Sequence, residues 1–510
     1  MRIPFLLLVS ALTSFAAERP NIVFLFSDDH ALQAISAYGG RFKEIAPTPN
    51  IDRLATQGAV FDRSYCANSI CGPSRACILT GKHSHINGFI DNDTSKFNGA
   101  QPTFPKYLQQ AGYQTAIIGK WHLISQPTGF DYWEILPGQG SYYNPDFIQM
   151  DGSTKRVEGY VSDLIADKSL DWLKNQRDKN KPFVLMCQHK APHRNWVPAQ
   201  RHYKLFDGVK MPEPETLFDD YANRSDALKE QAMSLEKDFW WSNDLLLPGD
   251  SPDPRFRKGM KNGEYLRMSP AQKAAFDQAY GAESQKLIDD LAAGNLTDDD
   301  CTRWKYQRYI KNYLRCVRAV DENIGRVLDY LEESGLAKNT IVIYSSDQGF
   351  YLGEHGWYDK RWMFEESLAM PFLIRWPGVV KPGVRSKALI QNIDYAPTFL
   401  DAAGVKIPDD IQGRSLLPVF KNECRAPADW RKAIYYFYSG EATHQVAAHD
   451  GVRSDRYKLF HLPKTDEWQL FDLEKDPQEM KSIHDDPGHA DVLAEMKATY
   501  HKLRSEYQVK

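Results

Sequence analysis

The chain has 510 residues, 42% of them hydrophobic, and its 63 Lys and Arg nearly balance its 67 Asp and Glu, for a formal net charge of -4. That length can bury a large core, and one large plus one small domain is the expectation. The even charge excludes a nucleic-acid footprint and a polybasic membrane arm, so any charged substrate must be met by local groups.

The first residues, "MRIPFLLLVSALTSFAAERP", hold one early cation, an apolar run and the small residues Ala16 and Ala17. This is the pattern of a signal peptide over residues 1–17, so the protein is expected to be exported, to a periplasm or outside the cell. The run is too short to span a bilayer, and no later segment approaches ~20 unbroken apolar residues, so no stable membrane insertion is expected. Seven cysteines (66, 71, 77, 187, 301, 316 and 424) make an odd count, which leaves at least one thiol unpaired or chemically special.

Four short apolar runs follow along the chain: "NIVFLFSDD" from Asn21, "QTAIIGKWH" from Gln114, "PFVLMCQHKAPH" from Pro182 and "TIVIYSSDQG" from Thr340. Each is unalternated and rich in Ile, Val and Phe, as strands buried on both faces should be. Helical patterns lie between them, such as "AVDENIGRVLDYLEESG", which places Val320, Ile324, Val327, Leu328 and Leu331 on one stripe before Gly335. Strands alternating with helices predict an α/β fold, a mostly parallel sheet with helices on both faces. Residues 201–304 are polar, with Pro, Trp and Tyr scattered through them, and read as an insertion that shapes a cleft or simply elaborates the surface. Beyond about Pro408 the pattern changes to antiparallel strands and a last helix, predicting a small α+β subdomain over 408–510 beside a catalytic domain over 18–407.

Ionisable or amide residues stand right after the apolar part of all four runs: Asp28 and Asp29, Lys120 and His122, His189 and His193, Asp347 and Gln348. Ligands of open α/β sheets bind beyond the carboxyl ends of the strands, so the four tips are expected at one edge. Asp28 and Asp29 would face opposite sides of a continuing strand and can converge only if the strand has ended. Converging carboxylates repel unless a cation lies between them. With Asp347 and Gln348 they form an all-oxygen set suited to Ca²⁺ or Mg²⁺ and poor for zinc. The competing reading is that each acidic pair caps the next helix. Neither "LTGKH" nor "IIGKW" fits a phosphate loop, and no HExxH occurs.

"CGPSRACILTG" begins at Cys71. Pro73 suits the first helical position, which puts Cys71 at a helix N-terminus that favours anions, with Arg75 a turn away. That setting suggests an exposed, chemically active cysteine. A disulfide to Cys66 or Cys77 and a plain thiolate remain open on the residues alone.

The run Cys-Gly-Pro-Ser-Arg followed by "ACILTG" resembles the C-x-P-S-R-x-x-x-L-T-G signature of the sulfatase family, which is also the sequence in which the cysteine is oxidised to formylglycine. "NIVFLFSDD", "TPNIDRLATQGAVFDRSY", "GKWH", "APH", "SSDQG" and the lysine of "GWYDKRW" agree in order, so the resemblance covers nearly the whole mature chain. It implies an alkaline-phosphatase-like fold with a small C-terminal subdomain. It also implies Asp28, Asp29, Asp347 and Gln348 as calcium ligands, touched by the modified Cys71. Arg75 and Lys120 would hold the hydrated aldehyde, His122 would act as base, His193 as the acid toward the departing alcohol, and Lys360 as the sulfate-binding cation. The family often has Asn or His where this chain has Gln348, which keeps an oxygen acceptor. One hydroxyl of the hydrated aldehyde would attack sulfur to give a covalent enzyme sulfate, and the other would expel it. Maturation would require a formylglycine-generating enzyme.

The stretch from Ser345 to Gly378 most resembles exported bacterial sulfatases that remove 6-O-sulfate from N-acetylglucosamine in heparan-type or mucin glycans, so a sulfated oligosaccharide or polysaccharide is the expected partner. Asp359, Arg361 and His449 are the candidate sugar-binding residues. The alternatives are a sulfatase for galactose or N-acetylgalactosamine 6-sulfate or an algal polysaccharide, a phosphonate or phosphodiester hydrolase on the same fold, and a glycan-binding protein whose cysteine is never oxidised. Asn92, Asn223 and Asn295 lie in N-x-S/T sequons, which matter only in a eukaryotic secretory route.

Overall fold

The computed structural model describes residues 19–247 and 263–509, so the signal-peptide expectation over 1–17 lies outside the described residues. Its centre is a ten-stranded sheet in the order Val384–Ser386, Ala59–Phe61, Phe372–Arg375, Thr340–Ser346, Asn21–Ser27, Phe183–Gln188, Gln114–Lys120, Tyr132–Leu136, Asp146–Gln149, Thr154–Arg156. The four apolar runs are four neighbouring strands of this sheet, all parallel. Antiparallel pairs appear only toward its two margins.

The missing alternation in these runs has a simple cause. Successive side chains of a strand point to opposite faces, and here both faces are covered. In Asn21–Ser27, Val23 and Leu25 enter one core while Ile22, Phe24 and Phe26 enter the other, all fully buried. The first core includes the stripe Val320, Ile324, Val327, Leu328 and Leu331 of a 36-residue helix, Asp298–Glu333. That helix starts at a capping box formed by Thr297 and Asp300 and passes unbroken through Trp304, where the insertion was expected to end.

The C-terminal part is a four-stranded antiparallel sheet, Ala433–Tyr438, His449–Ser454, Tyr457–Leu462 and Glu467–Asp472. One face, with Tyr435, Val452, Leu459 and Leu470, packs on Met496, Tyr500 and Leu503 of the helix Ala490–Glu506. The other, with Ile434, Tyr436, Phe460 and Phe471, belongs to the second core of the large domain.

Register places the chemistry. Ser27 pairs with Ser346, so Asp28 and Asp347 leave the sheet at one level. Phe26 and Gly119 both pair with Gln188, which brings Lys120 to the same edge. Gly119 must be glycine: its φ is +106°, and a Cβ would stand 2.0 Å from the Gln188 carbonyl oxygen. Gly119→Ala is therefore expected to cost at least about 3 kcal/mol, through strain and a pushed-apart strand pair. The measurement is denaturant unfolding; a loss below about 1 kcal/mol would contradict this reading.

Candidate active site at the strand tips

The Asn21–Ser27 strand stops at Ser27, and Asp29 takes a left-handed φ of +65°, so both carboxylates turn to one side. The Asp29 N–H donates to Asp347 Oδ1 at 3.1 Å, and the Tyr313 hydroxyl of the long helix donates to the Asp29 carbonyl at 2.6 Å. Neither acidic pair caps a following helix through these carboxylates. Ligand atoms of Asp28, Asp29 and Asp347 lie within 4.8 Å of one another, and all three residues are fully buried.

Three cations brace this cluster. The Arg75 guanidinium donates from Nη2 to Asp28 Oδ2 (2.8 Å) and Asp347 Oδ2 (3.1 Å), and from Nε to Asp347 Oδ2 (3.2 Å). Its Nη1 donates to the Lys120 carbonyl (2.9 Å) and Gln188 Oε1 (2.6 Å), so the fork is spent on aligning four strand tips. Lys120 Nζ contacts the Asp28 carboxylate and Gln139 Oε1. Lys360 Nζ donates to both Asp29 oxygens, at 2.5 and 2.7 Å.

The carboxylates titrate apart. Burial would raise Asp28, but Lys120 and Arg75 outweigh it and hold this carboxyl well below the usual range. Burial raises Asp29 to about 7; Lys360 opposes this, while Asp28 and Asp347 add to it. Burial and Asp28 also raise Asp347. Two of the three carboxylates thus resist ionisation, first through burial and then through their like-charged neighbours. The Gln348 Nε2 donates to Asp29 Oδ1, and Gln348 Oε1 is buried without a hydrogen-bond partner. Three converging buried carboxylates and an unengaged amide oxygen fit a hard divalent cation.

Cys71 Sγ lies 3.5 Å from Asp28 Oδ1. The helix begins at Cys71 itself and runs to Thr80, two residues earlier than Pro73 suggested, because a first-turn proline lacks only an N–H that would be unbonded anyway. The expectation of an exposed cysteine does not hold: Cys71 is 1% exposed. Burial, then the Asp28 charge, push its thiol up, which disfavours a resting thiolate. Cys66, Cys71 and Cys77 are all free, so no bridge occupies it.

The histidines separate. His193 Nε2 is 3.8 Å from Asp29 Oδ2 and 4.0 Å from Asp28 Oδ1, while its Nδ1 bonds the Arg194 carbonyl. His189 is buried away from the cluster, its Nε2 3.9 Å from Cys187 Sγ, and burial alone takes it down to about 4. His122, with φ +56°, sits just beyond Lys120; burial and then Lys120 hold it well below its usual value. Burial and Lys120 do the same to His193.

Asp359 and Arg361 flank Lys360 at φ +76° and +96°, a strained turn that sends three consecutive side chains inward. Arg361 pairs with Asp359 (2.7 Å) and Glu441 (2.5 Å), and His444 joins both, 3.3 Å from Asp359 and 2.6 Å from Glu441. Glu441 and His444 were missed by sequence reasoning, since a loop 80 residues downstream carries no local signal. Gln188 was also missed, although the strand-tip rule that singled out Gln348 applies to it equally. His449, the third candidate sugar contact, is packed in the interior beside this turn. It is 1% exposed, its ring stacked at 4.7 Å on Trp362, and Tyr436, its neighbour at 5.6 Å, donates to the Arg361 carbonyl. It underlies the Arg361 turn. Asn92, one of the sequons, accepts from the Gly72 N–H at 3.1 Å.

Residues 20–405 match the family profile described as Sulfatase, and residues 353–506 match that described as N-sulphoglucosamine sulphohydrolase, C-terminal. The chain is 49% identical over 496 residues to an N-acetylglucosamine-6-O-sulfatase from Bacteroides thetaiotaomicron, covering 96% of this chain and 87% of that one. It is 27% identical to the human N-acetylglucosamine-6-sulfatase over 83% of this chain and 68% of the relative. A solved structure of a protein in complex with its substrate D-glucosamine-2-N,6-O-disulfate superposes with a TM-score of 0.90 at 49% identity, over 96% of this chain and 98% of that one.

Arg75 has the most to lose by substitution. Arg75→Met would leave Asp28 and Asp347 buried without their shared partner and is expected to cost about 3–5 kcal/mol. Denaturant unfolding without added metal measures it, and a loss under about 1 kcal/mol would contradict the bracing role.

Proposed function

We propose, on the premise that this chain belongs to the sulfatase family of sulfuric ester hydrolases, that it removes 6-O-sulfate from N-acetylglucosamine or a related glucosamine residue of a glycan. The assembled site carries the reading: a buried oxygen cluster, the signature cysteine and two lysines meet at one sheet edge. The 49% identity to a named N-acetylglucosamine-6-O-sulfatase supports the sugar and the sulfate position.

In this reading Asp28, Asp29, Asp347 and Gln348 hold Ca²⁺, and Cys71 is oxidised to formylglycine by a formylglycine-generating enzyme. The ion would supply Lewis acidity toward a sulfate oxygen, and the hydrated aldehyde a nucleophilic hydroxyl beside a second hydroxyl for release. The chain's own residues do the rest. Lys120 and Lys360 are bound to Asp28 and Asp29. Three carboxylates against Arg75, Lys120 and Lys360 balance to zero, so a divalent cation would make the cluster net positive and free both lysines for sulfate oxygens. Arg75 stays committed to the strand tips and sets their spacing. His193 gives a proton to the departing sugar oxygen, and His122 takes one during release. Both imidazoles are held neutral by burial and Lys120, and the arriving sulfate charge favours the protonation that His193 needs.

The sugar is read by Asp359 and Arg361, whose charges are held by Glu441 and His444. His449 serves from beneath Arg361 instead of meeting the sugar. We read the division 18–407 and 408–510 as catalytic domain and subdomain, the latter supplying Glu441 and His444. Export through the leader over 1–17 suits a glycan substrate and an aldehyde-bearing site, and among the described residues no helix is long and apolar enough to cross a membrane.

A panel of sulfated mono- and disaccharides, assayed with enzyme whose Cys71 peptide is verified as formylglycine by mass, tests the reading. The 6-O-sulfated glucosamines are expected to be cleaved at least about tenfold faster than galactose or N-acetylgalactosamine 6-sulfates; preference for the latter, or for a phosphonate ester, would overturn it. A buried polar site built for a sugar hydroxyl loses heavily when its partner is removed. Asp359→Ala and Arg361→Ala are therefore expected to lose about 100-fold or more in kcat/KM on the sulfated sugar and less than about fivefold on a small aryl sulfate. Equal losses would contradict the sugar-binding role.

A further inference from the structure

The insertion over 201–304 is not surface elaboration throughout. Its segment 233–247 lies against the active edge: the Tyr358 N–H donates to the Met233 carbonyl at 3.0 Å, and Leu235 N–H to the Gly356 carbonyl at 2.9 Å. Phe239 stacks on Tyr358 at 4.5 Å. The segment delivers Asp244, a fully buried carboxylate, to Arg194. Arg194 Nε donates to Asp244 Oδ1 at 2.7 Å and Nη2 to Oδ2 at 2.6 Å, a two-pronged pair. Asp244 also accepts from Asn195 Nδ2 (3.1 Å) and the Trp240 N–H (2.8 Å). The Arg194 guanidinium lies 4.9 Å over the Tyr358 ring and 5.7 Å over the Trp240 ring.

Arg194 is the residue after His193, and its carbonyl accepts a hydrogen bond from the His193 Nδ1–H. Lys190 Nζ donates to the same carbonyl at 3.3 Å, and the Tyr142 hydroxyl donates to the His193 carbonyl at 2.5 Å. With Nδ1 committed, Nε2 is the ring nitrogen that faces Asp28 and Asp29, where the proposed reaction takes place. That orientation depends on where the Arg194 carbonyl points, and the side chain of the same residue is anchored by Asp244.

We propose that Asp244 is a positioning residue for His193: it pins Arg194, whose carbonyl fixes the imidazole with Nε2 toward the leaving oxygen. This rests on His193 being the acid of the reaction. As the S–O bond breaks, its electron pair goes to the sugar oxygen, and the Nε2 proton follows to give a neutral alcohol and neutral imidazole. A sugar alkoxide cannot leave without that proton, whereas a nitrophenolate can. Loss of the strap should therefore depend on the leaving group, and a general loss of structure should not.

The experiment compares a glucosamine 6-O-sulfate with 4-nitrophenyl sulfate, using formylglycine-verified enzyme, for His193→Ala, Asp244→Asn, Arg194→Met and the Arg194→Met/Asp244→Asn pair. Asp244→Asn is expected to lower kcat on the sugar sulfate by about 10–100-fold, part of the 10²–10⁴ a general acid contributes, with the aryl sulfate within about threefold. The double variant should be no worse than the poorer single one, since both act through one strap. Arg194→Lys, which keeps the charge but not the fork, should fall between wild type and Arg194→Met, and it carries the test if Asp244→Asn does not accumulate. Equal losses on both substrates, no loss on the sugar sulfate, or an additive double variant would overturn the strap while His193→Ala still discriminates. If His193→Ala shows no dependence on the leaving group, the acid assignment falls and the strap with it.

Discussion

Three carboxylates packed within 4.8 Å inside a closed protein interior are the constraint on which the rest of this structure turns. Their mutual repulsion and the cost of burying them are large. They persist because Arg75, Lys120 and Lys360 approach from three different chain segments, and because the strand ends that carry the acids are level across the sheet. The arrangement holds charge in tension: Asp28 stays ionised, while Asp29 and Asp347 resist ionisation. Bringing three buried carboxylates this close is what makes a divalent ion intelligible as a partner, and the cations that brace them make an anionic substrate intelligible in turn.

Much of this was legible in the sequence, for identifiable reasons. Strands buried on both faces leave unalternated apolar runs, and the four runs prove to be four adjacent parallel strands. Functional residues at strand tips follow from the sheet's geometry, which is why Asp28, Lys120, His193 and Asp347 could be picked out before any coordinates. The signature around Cys71 added what pattern could not, the family. What stayed hidden depends on tertiary placement. The burial of Cys71 follows from the whole helix Cys71–Thr80 being enclosed, which its own sequence does not announce. The surroundings of His449 were hidden in the same way: its strand packs against the large domain and its ring stacks on Trp362. Glu441, His444 and Asp244 reach the site from loops whose local sequence resembles any polar connection.

Those loops share a feature. In the proposed reading the sheet edge, the Cys71 helix and the Lys360 turn supply the groups that would meet the sulfate, whereas residues that orient or flank them come from the insertion and the C-terminal part. Asp244 holds the turn after His193, and Glu441 with His444 holds the turn around Lys360. Tyr358 links the two, packed on Arg194 and Phe239 and directly preceding Asp359. A common catalytic edge can thus be combined with different outer supports, a division of labour that α/β folds use widely, with chemistry on the scaffold and discrimination in the loops.

The central claim is that the strand tips form one site for a divalent ion, and calorimetric titration of chelator-stripped protein with calcium tests it most directly. The account predicts one ion bound per chain, with affinity at least about 100-fold weaker in Asp347→Asn, because a charged ligand of a small oxygen cage is lost. Absence of saturable binding, or binding indifferent to Asp347→Asn, would contradict it.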